Sequence, residues 1–131
     1  RVVLVLDVCH SGSTAAGEKG LMRQNNFDVA KVPIGEGQAI ICSSAPEQVS
    51  WESKSYPNSV FTKRLIEGLK QKSGQVNLNQ AFDYLKEQVE SEVLRDRGKM
   101  QTPIYFSKSW QGPPPVLSVI TAGTSSDSHL R

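Results

Sequence analysis

The chain contains 131 residues, a length that suits one compact domain and is short for two. Hydrophobic residues make up 37% and charged residues 21%, which supports a globular core and argues against overall disorder. The net charge of +2 is too small to predict a nucleic-acid partner, and no apolar run approaches the ~20 residues that span a bilayer. Two cysteines do not form a disulfide framework, so we expect a reducing, cytoplasmic location.

The first element predicted along the chain is a strand that begins almost at once. Residues 2–6 are five consecutive aliphatics, a pattern typical of a strand buried on both faces in the middle of a parallel sheet. We therefore expect the chain to be the carboxyl-side part of a larger domain whose amino-terminal part precedes Arg1. Residues 7–12 form a turn, and residues 13–37, with four glycines and little periodicity, form a long loop.

The later elements have clearer signals. Residues 38–43 predict a second buried strand, and a polar segment with prolines follows to residue 57. Asn58 or Ser59 can cap a first helix, and an apolar stripe from Leu78 to Val93 predicts a second, longer helix that ends at Gly98. Residues 101–106 predict a last strand, and residues 107–131 a Pro- and Ser-rich tail or linker. This order predicts an α/β fold with helices packed on a mostly parallel sheet.

Cys9 is the strongest candidate for chemistry. Ligands bind at the carboxyl ends of strands in open α/β sheets, and Cys9 follows such an end, before Ser11 and Gly12. A thiol there suits a nucleophile, and its backbone N–H suits an oxyanion donor. From its position alone, Cys9 could instead be a small buried hydrophobic residue without a chemical role.

Four segments resemble the caspase-like cysteine peptidases. Residues 7–12, Asp-Val-Cys-His-Ser-Gly, resemble the nucleophile motif of metacaspases and their bacterial relatives, and residues 42–52 resemble the caspase substrate-binding loop. Residues 58–62 look like the start of the following helix, and residues 101–103 like the start of the last strand. The resemblance implies that residues 1–106 are the carboxyl-side part of a three-layer caspase-like sandwich, a mostly parallel sheet with helices on both faces.

The resemblance also implies a cysteine endopeptidase that uses a Cys–His dyad. Cys9 would be the nucleophile, and the histidine would lie about 50 residues before it, upstream of this sequence. His10 should point away from the thiol and His129 lies in the tail, so we expect neither to be the base and this segment alone to be inactive. An inactive caspase-like domain that binds or scaffolds partners is the alternative.

Two acidic residues suggest the substrate. Asp7 and Glu52 occupy positions at which caspases hold a substrate aspartate with Gln and Arg, so the resemblance implies a pocket that binds Arg or Lys at P1. Ser50 and Trp51 would line the cleft, where the loop backbone would pair with an extended peptide. Purely structural roles remain open for each: a hydrogen-bonded carboxylate at the turn for Asp7, a solvated acid for Glu52, and packing on the sheet edge for Trp51.

Three further expectations concern cleavage of the chain, cofactors and a redox role for the two cysteines. Many family members are cut in the loop at 13–37, where Lys19, Arg23 and Lys31 are candidate cleavage sites, and an intact loop is the alternative. No metal site or other cofactor is predicted; calcium activation is weakened because Glu18 is the first acid after the nucleophile motif. A redox pair of Cys9 and Cys42 is a third functional hypothesis, although no C-x-x-C spacing supports it.

Overall fold

The computed structural model describes residues 1–7 and 35–117, which form a sheet and two helices. The elements, in chain order, are strand β1 (Val2–Leu6), strand β2 (Gln38–Cys42), helix α1 (Val60–Leu69), a short 3-10 segment (Gln71–Gly74), helix α2 (Leu78–Arg97) and strand β3 (Ile104–Lys108). Every strand and helix predicted from the sequence is present within these ranges, and the α/β class is confirmed.

The sheet is mixed, with the order β1-β2-β3. β1 pairs in parallel with β2, from Val2 opposite Gln38 to Leu6 opposite Cys42. β2 pairs antiparallel with β3, so that Cys42 lies opposite Ile104. The carboxyl ends of β1 and β2 therefore meet the start of β3 at one edge of the sheet.

Local signals define both helices. Ser59 caps α1 by accepting the Thr62 N–H on its side-chain oxygen, as the sequence predicts for position 58 or 59. Asn77 caps α2 in a reciprocal pair with Gln80, and Gly98 ends that helix in the left-handed conformation.

One core joins the two helices to one face of the sheet, which gives two of the three layers of the predicted sandwich. Its buried members are apolar residues of β2, α1 and α2: Ile41, Val60, Phe61, Leu78, Leu85, Val89 and Val93. Val3 and Tyr105 extend it on the neighbouring strands. The helices approach closely at Gly68, where an added Cβ would lie 2.8 Å from the Ala81 carbonyl oxygen, so glycine is required there.

β1 differs from the burial that its sequence predicts. Its aliphatic run suggests burial on both faces, yet Val2, Leu4 and Val5 are between 39% and 44% exposed. Within the described sheet β1 is an edge strand that pairs only with β2, and this explains the exposure.

Residues beyond 106 also take part in the described fold. β3 continues to Lys108, and the Pro115 carbonyl accepts the Leu78 N–H at 2.8 Å. That N–H lies in the first turn of α2, where it has no partner within the helix. Residues 118–131, the remainder of the predicted tail, lie outside the described residues.

Neither of the described helices has both the length and the apolar character needed to cross a membrane.

Candidate functional site

The candidate site lies where β1 and β2 end. The Ser43 N–H donates to the Leu6 carbonyl at 3.0 Å, which continues the strand pairing by one residue and brings Asp7 beside the chain that leaves β2. Ser43 and Ser44 are buried at this edge. This is the edge at which parallel strands of α/β proteins present their ligand-binding residues.

Asp7 is bound to the first turn of helix α1. Its Oδ2 accepts hydrogen bonds from the Ser59 and Thr62 hydroxyls, each at 2.5 Å. The positive end of the helix dipole also favours a carboxylate here. Within the described part of the chain no donor contacts Oδ1. The carboxylate is therefore held to helix α1 through one oxygen.

The segment Ser50–Glu52 is held next to this edge by Gln101. The fully buried Gln101 side chain accepts the Trp51 N–H at 2.9 Å and donates to the Ser43 carbonyl at 2.9 Å and to the Ser50 hydroxyl at 3.3 Å. One amide group thus connects the end of β2 to the candidate substrate loop.

Trp51 makes its other contacts with the two helices. Its carbonyl accepts the Val60 N–H at 3.1 Å, and the Arg97 guanidinium carbon lies 4.6 Å from the centre of its ring. Arg97 also donates to the Glu52 carbonyl at 3.1 Å. Both backbone groups of Trp51 are therefore bonded within the protein.

Ser59 connects the two acidic candidates. Its hydroxyl contacts the Asp7 carboxylate, and its backbone lies opposite Glu52 in an isolated antiparallel bridge. Asp7, Ser50, Trp51 and Glu52 thus lie in one region, and their roles in substrate binding stay predictions.

A buried carboxylate anchors the next part of the loop. Glu92 of α2 is 2% exposed and accepts from the Tyr56 hydroxyl at 2.6 Å, the Ser53 hydroxyl at 3.1 Å, and Arg64 at 2.7 and 3.1 Å. Burial and the hydrogen bond to Glu92 raise the pKa of Tyr56 to about 12. Burial lowers the pKa of Arg64, but its hydrogen bonds to Glu92 and Glu67 outweigh this and raise it overall. Segment 53–56 is therefore fixed to both helices.

Several predicted residues cannot be placed. Cys9, His10 and His129 lie outside the described residues, as do the loop lysines and arginine at 19, 23 and 31. Cys42 is buried and is not part of a disulfide. The proposed nucleophile and the redox pairing of the two cysteines consequently stay predictions.

The residues that hold the site together were not identified from the sequence. Gln101, Arg97 and Glu92 contact the loop across separations of 36 to 58 residues, which no local pattern reveals. Of these three residues, only Glu92 could have been suspected from the sequence. It is an acidic residue beside Val93, which belongs to the apolar stripe of α2. In residues 1–7 and 35–117, no three His, Cys, Asp or Glu side chains are grouped so that they could hold a metal ion.

Comparison with known proteins identifies the family. Residues 1–112 match the Peptidase_C14 model, described as the caspase domain. No curated protein matches the chain. Among solved structures, caspase-1 from Spodoptera frugiperda is 16% identical with a TM-score of 0.46, and the match covers 65% of this chain but 39% of that one. The family model spans most of the sequence and includes the Asp7 and Ser50–Glu52 positions, so this chain belongs to the caspase domain family of cysteine peptidases.

Proposed function

We propose that the intact protein is a cysteine endopeptidase of metacaspase type that cleaves after Arg or Lys. Cys9 is its nucleophile, and the histidine of the dyad lies upstream of this sequence. The observation that carries the basic specificity is the position of Asp7, whose Oδ2 is fixed by Ser59 and Thr62 while no described donor contacts Oδ1.

The proposed reaction passes through an acyl-enzyme. The histidine removes the proton from the Cys9 thiol, and the thiolate attacks the carbonyl carbon of the scissile peptide bond. The C–N bond breaks, and the leaving amine takes the proton from the histidine. Water then hydrolyses the thioester, which releases the new carboxyl group and restores the thiol.

The charge of Asp7 and its closeness to Cys9 in the sequence support Asp7 as the residue that binds the P1 side chain. A guanidinium forms strong, charge-assisted hydrogen bonds with a carboxylate, whereas a substrate aspartate would be repelled. Only Val8 separates Asp7 from Cys9 in the sequence, and two residues span at most about 7 Å. Glu52 would add a second negative charge, because its backbone pairs with the residue that binds Asp7.

The loop backbone supports an extended peptide as the substrate. In an extended segment, successive residues direct their backbone groups to opposite sides. The Trp51 groups bond to Gln101 and Val60, so the backbone N–H of the next residue, Glu52, faces the other side. We infer that a peptide pairs along that side, with the Trp51 ring as the wall of the adjacent subsite.

The test compares peptides that differ at P1. The intact protein, with its upstream sequence, is assayed on matched peptides with Arg, Lys or Asp at P1, with and without Ca²⁺. We expect turnover of the basic peptides, its loss in Cys9→Ala, and a fall in kcat/KM of about 10- to 100-fold in Asp7→Asn, the range of a charge-assisted hydrogen bond. Asp83→Asn is the matched control, because Asp83 lies exposed on α2.

Each outcome has a distinct meaning. Equal turnover of Arg and Asp peptides would remove the basic specificity but leave the peptidase. Turnover of none of them, in either calcium condition, would favour the non-catalytic binding domain. Turnover only with Ca²⁺ would establish calcium activation.

The proposal also covers the binding partners of the protein and its location in the cell. The missing amino-terminal part of the domain would complete the site, and protein or peptide substrates with basic P1 residues would be its ligands. We propose a cytoplasmic location from the low cysteine content and the free thiol of Cys42.

A further inference from the structure

Arg97 contacts the candidate substrate segment in two ways. It is the last residue of α2, and its guanidinium carbon lies 4.6 Å from the centre of the Trp51 ring. Its Nη2 donates to the Glu52 carbonyl at 3.1 Å. One side chain therefore holds the ring of one residue and the backbone of the next.

The chemistry of arginine suits this double contact. A planar guanidinium can stack on an aromatic face and still donate hydrogen bonds in its own plane, which the ammonium group of lysine cannot do together. The Trp51 backbone is fixed by Gln101 and Val60, but neither of these bonds fixes the orientation of the ring. Among the described residues, Arg97 is the one cation stacked on that ring.

Arg97 lies on a turn of α2 that is anchored to the rest of the protein. About one turn before it, Glu92 and Val93 are buried, and Gly98 ends the helix with its N–H bonded to the Leu94 carbonyl. A side chain on a well-anchored helical turn is placed more reproducibly than one on a loop.

We propose that Arg97 is a positioning residue for peptide binding, which fixes the Trp51 ring and the Glu52 backbone beside Asp7. This inference rests on the proposed peptidase function. Arg97 also occupies the Glu52 carbonyl, so a bound peptide reaches Glu52 through its N–H. Arg97 acts through Trp51 and Glu52 and not on the reacting atoms.

Kinetics of the intact protein test the proposal. In Arg97→Ala we expect the KM for a basic-P1 peptide to rise about 10-fold, the combined effect of one stacking contact and one hydrogen bond, while kcat stays within about twofold. Arg97→Lys keeps the charge but loses the combined geometry, and it should fall between wild type and Arg97→Ala. Arg95→Ala is the matched control, because Arg95 is 65% exposed and pairs with Asp96 beside it.

Fluorescence supplies a readout that does not depend on catalysis. This sequence has two tryptophans, so Trp110→Phe leaves Trp51 as its single tryptophan, and excitation at the red edge of the absorption band avoids emission from the tyrosines. Adding Arg97→Ala should increase quenching of Trp51 by acrylamide, whereas adding Arg95→Ala should not.

The outcomes separate this inference from the proposed function. An active wild type in which Arg97→Ala matches Arg95→Ala in KM would overturn the positioning role alone. Increased quenching without a change in KM would also overturn it, since the ring would then move without consequence for binding. A wild type that cleaves none of the peptides removes the proposed function and this inference together.

Discussion

Gln101 and Trp51 lie 50 residues apart in the sequence, and the side-chain oxygen of the first accepts the backbone N–H of the second at 2.9 Å. The same Gln101 amide donates to the Ser43 carbonyl, 58 residues away. The segment that leads into β3 therefore holds both the end of β2 and the residues Ser50–Glu52 through one buried side chain.

Replacing Gln101 should destabilise the fold. Gln101→Leu removes the hydrogen bonds that this side chain makes to the Ser43 carbonyl and the Trp51 N–H, and losing one partner of a buried hydrogen bond costs about 1–3 kcal/mol. We expect the free energy of unfolding to fall by about 2–4 kcal/mol, measured by urea denaturation. Gln71→Leu is the control, because Gln71 is exposed and bonds only to the Glu67 carbonyl. Equal losses in the two variants would contradict the role assigned to Gln101.

Glu92 should be far more sensitive than a surface acid on the same helix. Glu92→Gln keeps the shape but leaves Arg64 without its buried partner, and breaking such a pair costs about 3–5 kcal/mol. Glu90→Gln is the matched control, because the Glu90 pair with Lys86 is long and partly exposed, and such pairs contribute about 0–1 kcal/mol. Denaturant midpoints of the two variants give the comparison, and similar midpoints would refute the prediction.

Asp7 and Ser59 should be energetically coupled. Asp7→Ala and Ser59→Ala each remove the hydrogen bond between them, so the double variant should lose less stability than the sum of the singles, by about 1 kcal/mol. Asp83→Ala combined with Ser59→Ala should be additive, since the exposed Asp83 has no such contact. A double-mutant cycle with additive values for Asp7 and Ser59 would mean that the bond contributes nothing in solution.

All three tyrosines should lose their phenolic protons at a higher pH in the folded protein than in the unfolded chain. Burial and the bond to Glu92 raise the pKa of Tyr56 to about 12; burial and the bond to Glu67 raise that of Tyr84; burial raises that of Tyr105. Because folding favours the neutral phenols, their contribution to stability is complete below about pH 10, the ordinary tyrosine pKa, and declines as the pH rises toward 12.

Phenolate absorbance measured against pH tests this. The urea-unfolded chain should titrate near pH 10, and the native protein at higher pH. Tyr56→Phe should remove the highest transition. If the pKa of a tyrosine were the same in the native protein as in the unfolded chain, its hydrogen bond or burial would not persist in solution.

Local sequence patterns predicted the elements well because their causes are local. The cap at Ser59, the apolar stripe of α2 and its end at Gly98 depend on residues within a few positions of one another. The parallel pairing of β1 and β2 follows from the aliphatic runs and the long connection between them.

The contacts that build the site could not be predicted in this way. Arg97 on Trp51 and Glu92 on Tyr56 depend on how α2 lies against the loop, which is a property of packing and not of spacing. The family resemblance suggested the loop residues as candidates, but it said nothing of the side chains that hold them. β1 is more exposed than its aliphatic run suggests, because the described sheet pairs it on one side alone.

The anchoring of the loop by α2 constrains the length of the chain as well as its chemistry. Glu92 and Arg97 are five residues apart on one helix and contact consecutive parts of the same loop. Each residue added to a helix turns the following side chains by about 100°. A single insertion or deletion between these two positions would turn Arg97 away from Trp51 while Glu92 stayed in place. Homologous chains that keep this site should therefore vary in sequence along this stretch but not in its number of residues.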